Sequence, residues 1–231
     1  LDDEHGLFVR DKSSWLAVHH AAAAGHAGAL EVLLAHEPKL LELTTGEGLD
    51  TLLHLACARD QLECVAVLFR EMKQRDLLAA SADKRNSGGR TPLFAAADGN
   101  DGRGDGGAQR SREGERCTRI TRGLLRAGAT LNCQDRELMT PLHAACAAAN
   151  VDAARELLRA GAPLSLSMSD GRLALHFACE SEPITRELVR ELLSRARRAR
   201  GGANLDADGA RDALENLAKQ FGDDPLLAEE V

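Results

Sequence analysis

The stretch TPLHAAC, residues 140–146, sets a threonine, a proline and a histidine in fixed order, with a cysteine three places on. His143 and Cys146 fit either a reactive site or an element of architecture. A site needs its residues once, whereas an architecture uses them again. LAVHHAA (16–22), TLLHLAC (51–57), TPLFAAA (91–97), TPLHAAC (140–146) and LALHFAC (173–179) align, and their fourth position is His19, His54, Phe94, His143 and His176. The intervals are 35, 40, 49 and 33 residues. Self-similarity at such a period marks stacked repeats. A second block follows each: ALEVLLAHEP (29–38), CVAVLFREM (64–72), ITRGLLRAGA (120–129), AARELLRAGA (153–162) and the looser TRELVRELLSRA (185–196).

Each unit reads as two short helices. Thr140 is a good N-cap, because its hydroxyl can accept from an amide of the first turn. Pro141 then occupies the first helical position, where its missing N–H costs nothing. Thr91 and Pro92 repeat the device, while Leu16-Ala17 and Leu173-Ala174 lose the hydroxyl cap, worth about 1 kcal/mol. Leu142, Ala145 and Cys146 share one face of the first helix. Leu157 and Leu158 supply the second helix, which stops at Gly161, a natural left-handed terminus.

On these residues, and on RAGATLNCQD (126–135), RAGAPL (159–164) and AGH (24–26), the chain resembles the ankyrin-repeat family from about Trp15 to about Leu217. The resemblance implies an all-α fold, a solenoid of stacked helix pairs with projecting β-hairpin loops. It implies a single domain over 1–231, with repeats near 15–45, 50–80, 90–129, 139–165 and 172–200 and a degenerate one over 208–231. In that last unit Asp212-Ala213-Leu214-Glu215 stands in the place of TPLH, and its charges suit a terminal cap facing water.

The third unit carries an insertion, DGNDGRGDGGAQRSREGER (98–116), about 16 residues longer than the connection in the fourth. Six glycines and almost no apolar side chain lead us to expect a surface loop throughout. Asp98, Asn100, Asp101 and Asp105 in it do not fall into the register of a calcium loop. Arg103-Gly104-Asp105, an adhesion tripeptide, is a chance product of a segment made mostly of those residues.

Composition narrows the function classes. Aromatic residues are 3% of the chain and tyrosine is absent, so the core rests on Leu, Ala and Val, which suits close-packed helices. A net charge of -7 disfavours general attraction to nucleic acid or anionic membrane. The longest apolar stretch, Trp15 to Ala35, is broken by His19, His20, His26 and Glu31. It is too polar to span a bilayer. Six cysteines in 231 residues do not make a disulfide scaffold. We expect reduced thiols in the cytoplasm, with the nucleus as the alternative. No secretory signal is visible, and a chain beginning at Leu1 reads as a fragment of something longer. His19-His20 has no nucleophile in a recognisable frame beside it. The basic cluster Arg195, Arg197, Arg198 and Arg200 is flanked by acidic residues and reads as a solvated helix end.

The resemblance implies a non-enzymatic module without cofactor or metal, a monomer that binds a protein and neither nucleic acid nor membrane. The alternatives are a regulatory ankyrin fragment of a larger enzyme and a nucleic-acid-binding solenoid. Residue by residue it places partner contacts at Arg85, Ser87 and Arg90 on the third loop, Arg136, Glu137 and Met139 on the fourth, and Ser167, Ser169, Asp170 and Arg172 on the fifth. Arg59, Asp98 and Glu180 fall on the exposed side of first helices. Arg85, Arg90, Arg136 and Arg172 together suggest a partner with acidic groups. Asn132 occupies the position where the family can be hydroxylated by an asparaginyl hydroxylase; the alternative is an asparagine that bonds its own hairpin.

The pairs His54/Cys57, His143/Cys146 and His176/Cys179 recur at one repeat position. Equivalent positions in stacked helices lie about 10 Å apart, too far to share a zinc with ligands near 2 Å. The purified chain should therefore carry no stoichiometric zinc by elemental analysis, and EDTA should leave its melting unchanged. One-to-one zinc with unfolding on chelation would make these pairs a site.

Overall fold

The computed structural model describes residues 6–99, 110–180, 188–192 and 195. The expected repeat at 208–231, the basic cluster beyond Arg195, and Asn100, Asp101 and the Arg103–Asp105 tripeptide lie outside the described residues.

Among the described residues ten α-helices can be bounded: α1 (Ala17–Ala24), α2 (Ala27–His36), α3 (Leu52–Ala58), α4 (Leu62–Gln74), α5 (Leu78–Ala82), α6 (Pro92–Asp98), α7 (Arg110–Arg126), α8 (Pro141–Ala147), α9 (Val151–Arg159) and α10 (Ala174–Glu180). A 3-10 turn, Pro38–Glu42, follows α2. The first helices of the units, α1, α3, α6, α8 and α10, pack in that order, each on the next. Their partners α2, α4, α7 and α9 form a second row behind them. The result is a two-layer stack of helix pairs. Among the described residues there are no strands, only isolated bridges between Thr44 and Thr51 and between Ser167 and Leu173. The projecting loops are thus tight turns rather than extended ribbons.

Alanine at the contact lets the first layer close up. Ala21, Ala56, Ala96, Ala145 and Ala178 are buried at one repeat position. Leucines Leu30, Leu53, Leu68, Leu93, Leu124 and Leu157 fill the space between the layers. The helix ends follow the sequence signals: Gly25, Gly128 and Gly161 all adopt left-handed backbone, at φ 83°, 96° and 92°. The uneven intervals have local causes. The 40-residue step is taken up by the 13-residue α4 and the short α5.

The 49-residue step corrects the expectation of a loop through residue 116. The chain is helical from Arg110, so α7 runs 17 residues, about 25 Å, where α9 has nine. Five of the six glycines of the insertion sit in its first half. RSREGER (110–116) holds good helix formers with a single glycine, and propensity there outweighs the average of the whole segment.

The repeated histidine explains the order of the stack. Thr140 Oγ1 accepts from the His143 amide at 3.4 Å and donates to His143 Nδ1 at 2.7 Å, while the Thr140 amide reaches the same Nδ1 at 3.3 Å. Thr51 and His54 repeat this at 3.3, 2.8 and 3.2 Å. The other ring nitrogen points into the following repeat. His54 Nε2 donates to the Arg90 carbonyl at 2.9 Å, and His143 Nε2 to the Arg172 carbonyl at 3.3 Å. Each ring is therefore the neutral tautomer with its proton on Nε2.

Two expectations about caps change. The caps at Leu16 and Leu173 are only half lost, because His19 Nδ1 and His176 Nδ1 accept their amides, each at 2.9 Å. Thr91, read as a hydroxyl cap, makes no side-chain cap bond. Phe94 offers no ring nitrogen to orient the hydroxyl, which meets Cys133 Sγ of the next loop at 3.3 Å.

His143→Ala removes the acceptor for Thr140 and the donor to Arg172 together. It should cost about 1–3 kcal/mol by urea unfolding, the desolvation cost of buried groups left unpaired. Hydrogen exchange should accelerate first in the third and fifth repeats, because each repeat couples mainly to its neighbours.

Candidate functional site

Three of the projecting turns are built by short acceptor side chains five residues before the first-helix cap. Asp11 Oδ1 accepts the Ser13 and Trp15 amides, both at 2.8 Å. Asn86 Oδ1 accepts those of Gly88 and Arg90, both at 3.0 Å. Asp135 Oδ1 accepts those of Glu137 and Met139, at 2.9 and 3.0 Å. In the second loop Thr45 Oγ1 accepts the Asp50 amide at 2.9 Å. A turn of this kind, Asp11–Trp15, thus also precedes α1. Carboxylate, carboxamide or hydroxyl in this place is the local turn chemistry expected of Asp, Asn and Thr.

Successive turns are also joined to one another. The Ser87 amide donates to the Gly48 carbonyl at 2.9 Å, Arg136 to Gly88 at 3.3 Å, and Ser169 to Glu137 at 3.0 Å. Side chains double the joints: Asn86 Nδ2 to Asp50 at 2.8 Å, and Arg90 Nε to Asp135 Oδ2 at 3.1 Å. Ser87, Arg136 and Ser169, read as contacts from the sequence, therefore serve as rungs through their backbones.

The arginines divide into two kinds. Arg90 pairs with Asp135 and Asp98 and lies 5.4 Å from the centre of the Phe94 ring. Arg172 lies 4.0 Å from the Phe177 ring centre and pairs with Glu180. Two of the residues assigned to first helices, Asp98 and Glu180, are thus partners of loop arginines. Burial pushes the Asp98 carboxyl up, with Arg90 working against it. Arg85 Nη1 instead donates to the carbonyls of Gln134, at 2.6 Å, and Gly89, at 3.3 Å, so its charge meets no carboxylate among the described residues. Arg59 and Arg136 are exposed, and neither side chain makes a hydrogen bond or ion pair among the described residues.

Met139 packs partly against the core. Ser167 bridges to Leu173, and Asp170 Oδ1 accepts the Arg172 amide at 3.0 Å. Glu137 is exposed, and Asn132 is exposed in the turn that follows α7.

His20 Nε2 pairs with Asp11 at 2.8 Å at the surface. The cysteine thiols are buried, which pushes Cys117 up to about 11 and Cys146 and Cys179 up to about 12. Among the described residues no three metal-ligating side chains come together.

The turn acceptors Asp11, Asn86 and Asp135 escaped the sequence reading. Their common place, five residues before the cap, was the signal available.

A family model described as ankyrin repeats (3 copies) matches residues 18–103 and 112–206. The chain belongs to the ankyrin-repeat family. The ankyrin match breaks off inside the insertion and resumes near the start of α7. Repeats of the ankyrin kind are generally protein–protein interaction modules. No helix among the described residues is long and apolar enough to cross a membrane.

Burial holds the ankyrin histidines His19, His54 and His143 below their ordinary pKa, while the backbone carbonyls of Leu43, Arg90 and Arg172 work the other way. The unfolded chain takes up protons near pH 6.5 where the folded chain does not, so stability must fall as pH drops through that range. Asp11, Glu71 and Glu156, held low by their hydrogen bonds, add a second loss further down, near the carboxylate range. Asp98, held high, acts oppositely there. Urea midpoints should therefore decline between pH 7.5 and 5.5, and His143→Gln should flatten the decline. A flat profile in the parent chain would mean that these rings take up protons in the fold as readily as in the unfolded chain.

Proposed function

We propose that this chain is a protein-binding module that holds a partner against its turns and the exposed side of its first helices. The joined row of turns supports this reading above any other observation. Five turns are each fixed internally and three junctions are tied amide to carbonyl, so the surface is set before a partner arrives. A preset surface loses little conformational freedom on association. The side chains offered for contact are Arg59, Arg136, Glu137, Ser167, Ser169 and Asp170, with Arg85 in reach. Arg90, Asp98, Arg172 and Glu180 set the surface instead, and the partner meets their ion pairs rather than free charges. The module acts in the cytoplasm or nucleus without a cofactor.

Arg59→Glu combined with Arg136→Glu should leave thermal stability within about 0.5 kcal/mol, as substitutions at exposed, unpartnered positions do. With a partner recovered by proximity labelling in cells and then purified, the double variant should show slower association at low salt, faster dissociation, or both, in a surface-binding titration. Unchanged affinity and rates would place the contact elsewhere.

A further inference from the structure

One position of the turn is left-handed in all five repeats among the described residues. It holds Ser14 (φ 59°), Leu49 (φ 52°), Gly89 (φ 80°), Leu138 (φ 62°) and Gly171 (φ 85°), always two residues before the helix cap. Glycine enters this region freely, and a branched apolar side chain there strains the backbone. Packing does not explain the leucines. Leu49 is 48% and Leu138 is 45% exposed, and neither belongs to the hydrophobic core. Asp135 holds the backbone around Leu138 on both sides, so the conformation is imposed by the turn and the side chain stands at its tip. Two repeats of the same chain use glycine in this place, which makes leucine a departure that the fold does not require. Strain of this kind collects at binding surfaces.

The rungs put these positions in one row. Leu49 belongs to the second turn, Gly89 to the third and Leu138 to the fourth, joined by the bonds from Ser87 to Gly48 and from Arg136 to Gly88. Arg85, bonded to the Gly89 carbonyl, sets a cation without a carboxylate partner between the two leucines. We infer that this row is a docking surface for an extended peptide segment of a partner protein, with two apolar side chains seated on Leu49 and Leu138 and an acidic one between them on Arg85. Neighbouring repeats are about 10 Å apart, so the leucines are separated by about 20 Å. An extended chain covers that distance in about six residues at about 3.3 Å each. Side chains two apart share a face of such a chain, so the segment reads apolar, then acidic at the second or fourth residue after it, then apolar at the sixth. This deepens the protein-binding reading and rests on it.

A random 12-residue peptide library displayed on phage, panned against the full chain, tests the inference. Enriched peptides should carry the apolar–acidic–apolar spacing and bind as synthetic peptides in fluorescence polarisation. Leu49→Gly with Leu138→Gly should weaken them about tenfold or more and yet melt no lower than the parent, because glycine already serves at the two equivalent turns. Arg85→Gln should weaken them less, and more at low than at high salt. Peptides that lose affinity with Arg59→Glu but not with the glycine pair would overturn this surface while leaving the protein-binding reading intact. Failure to enrich any peptide would count against both. A glycine pair that melts lower than the parent would show that the leucines serve the fold, and the inference would fall on that result alone.

Discussion

The fold depends on a neutral imidazole doing two jobs. In the second and fourth repeats Nδ1 closes the start of its own helix, and Nε2 holds a carbonyl at the base of the following turn. No other common side chain presents an acceptor and a donor at opposite ends of a rigid ring. The bond made by Nδ1 fixes the proton on Nε2, so capping one helix prepares the ring to bind the next repeat. This couples local order to the stack. A single helix pair could not bury its faces alone, and the ring makes forming one pair favour the next.

Where the ring is missing or differently placed, the surroundings change with it. In the third repeat Phe94 is buried in the histidine's place, Thr91 turns to Cys133, and the joint to the fourth turn passes to Arg90 and Asp135. In the first repeat His19 still caps its helix, but its buried Nε2 has no well-formed hydrogen bond among the described residues. The turn that follows is one residue longer between acceptor and cap, Thr45 to Thr51, than the later turns. That difference accompanies the loss of the donor bond.

The sequence carried the stack because its signals repeat. Five copies of one helix start, paired leucines at fixed distance and glycines at the second-helix ends reinforce one another, and agreement among local signals is what specifies a fold. The site was less legible for two reasons. First, charge was read as surface. Arg90 and Arg172 resemble Arg136 in one dimension, and only the fold brings Asp98, Asp135 and Glu180 within reach of them. Second, averaging hid a boundary. Counting glycines over 98–116 concealed that RSREGER continues into the pattern of the second helix, and α7 gains its extra length there.

The turns show why scaffold and surface are hard to separate in a repeat array. Asp135 spends one carboxylate oxygen on its own turn and the other on the arginine of the preceding one. Stability and presentation thus share a side chain, and a substitution there would alter both. The left-handed positions do not share this constraint. Glycine at Gly89 and Gly171 satisfies the backbone fully, so whatever side chain stands at Leu49 or Leu138 is free to be chosen for what it meets outside the fold. A position where the scaffold asks only for a dihedral angle, and where the residue present makes that angle harder to reach, is where selection for binding can be told apart from selection for folding.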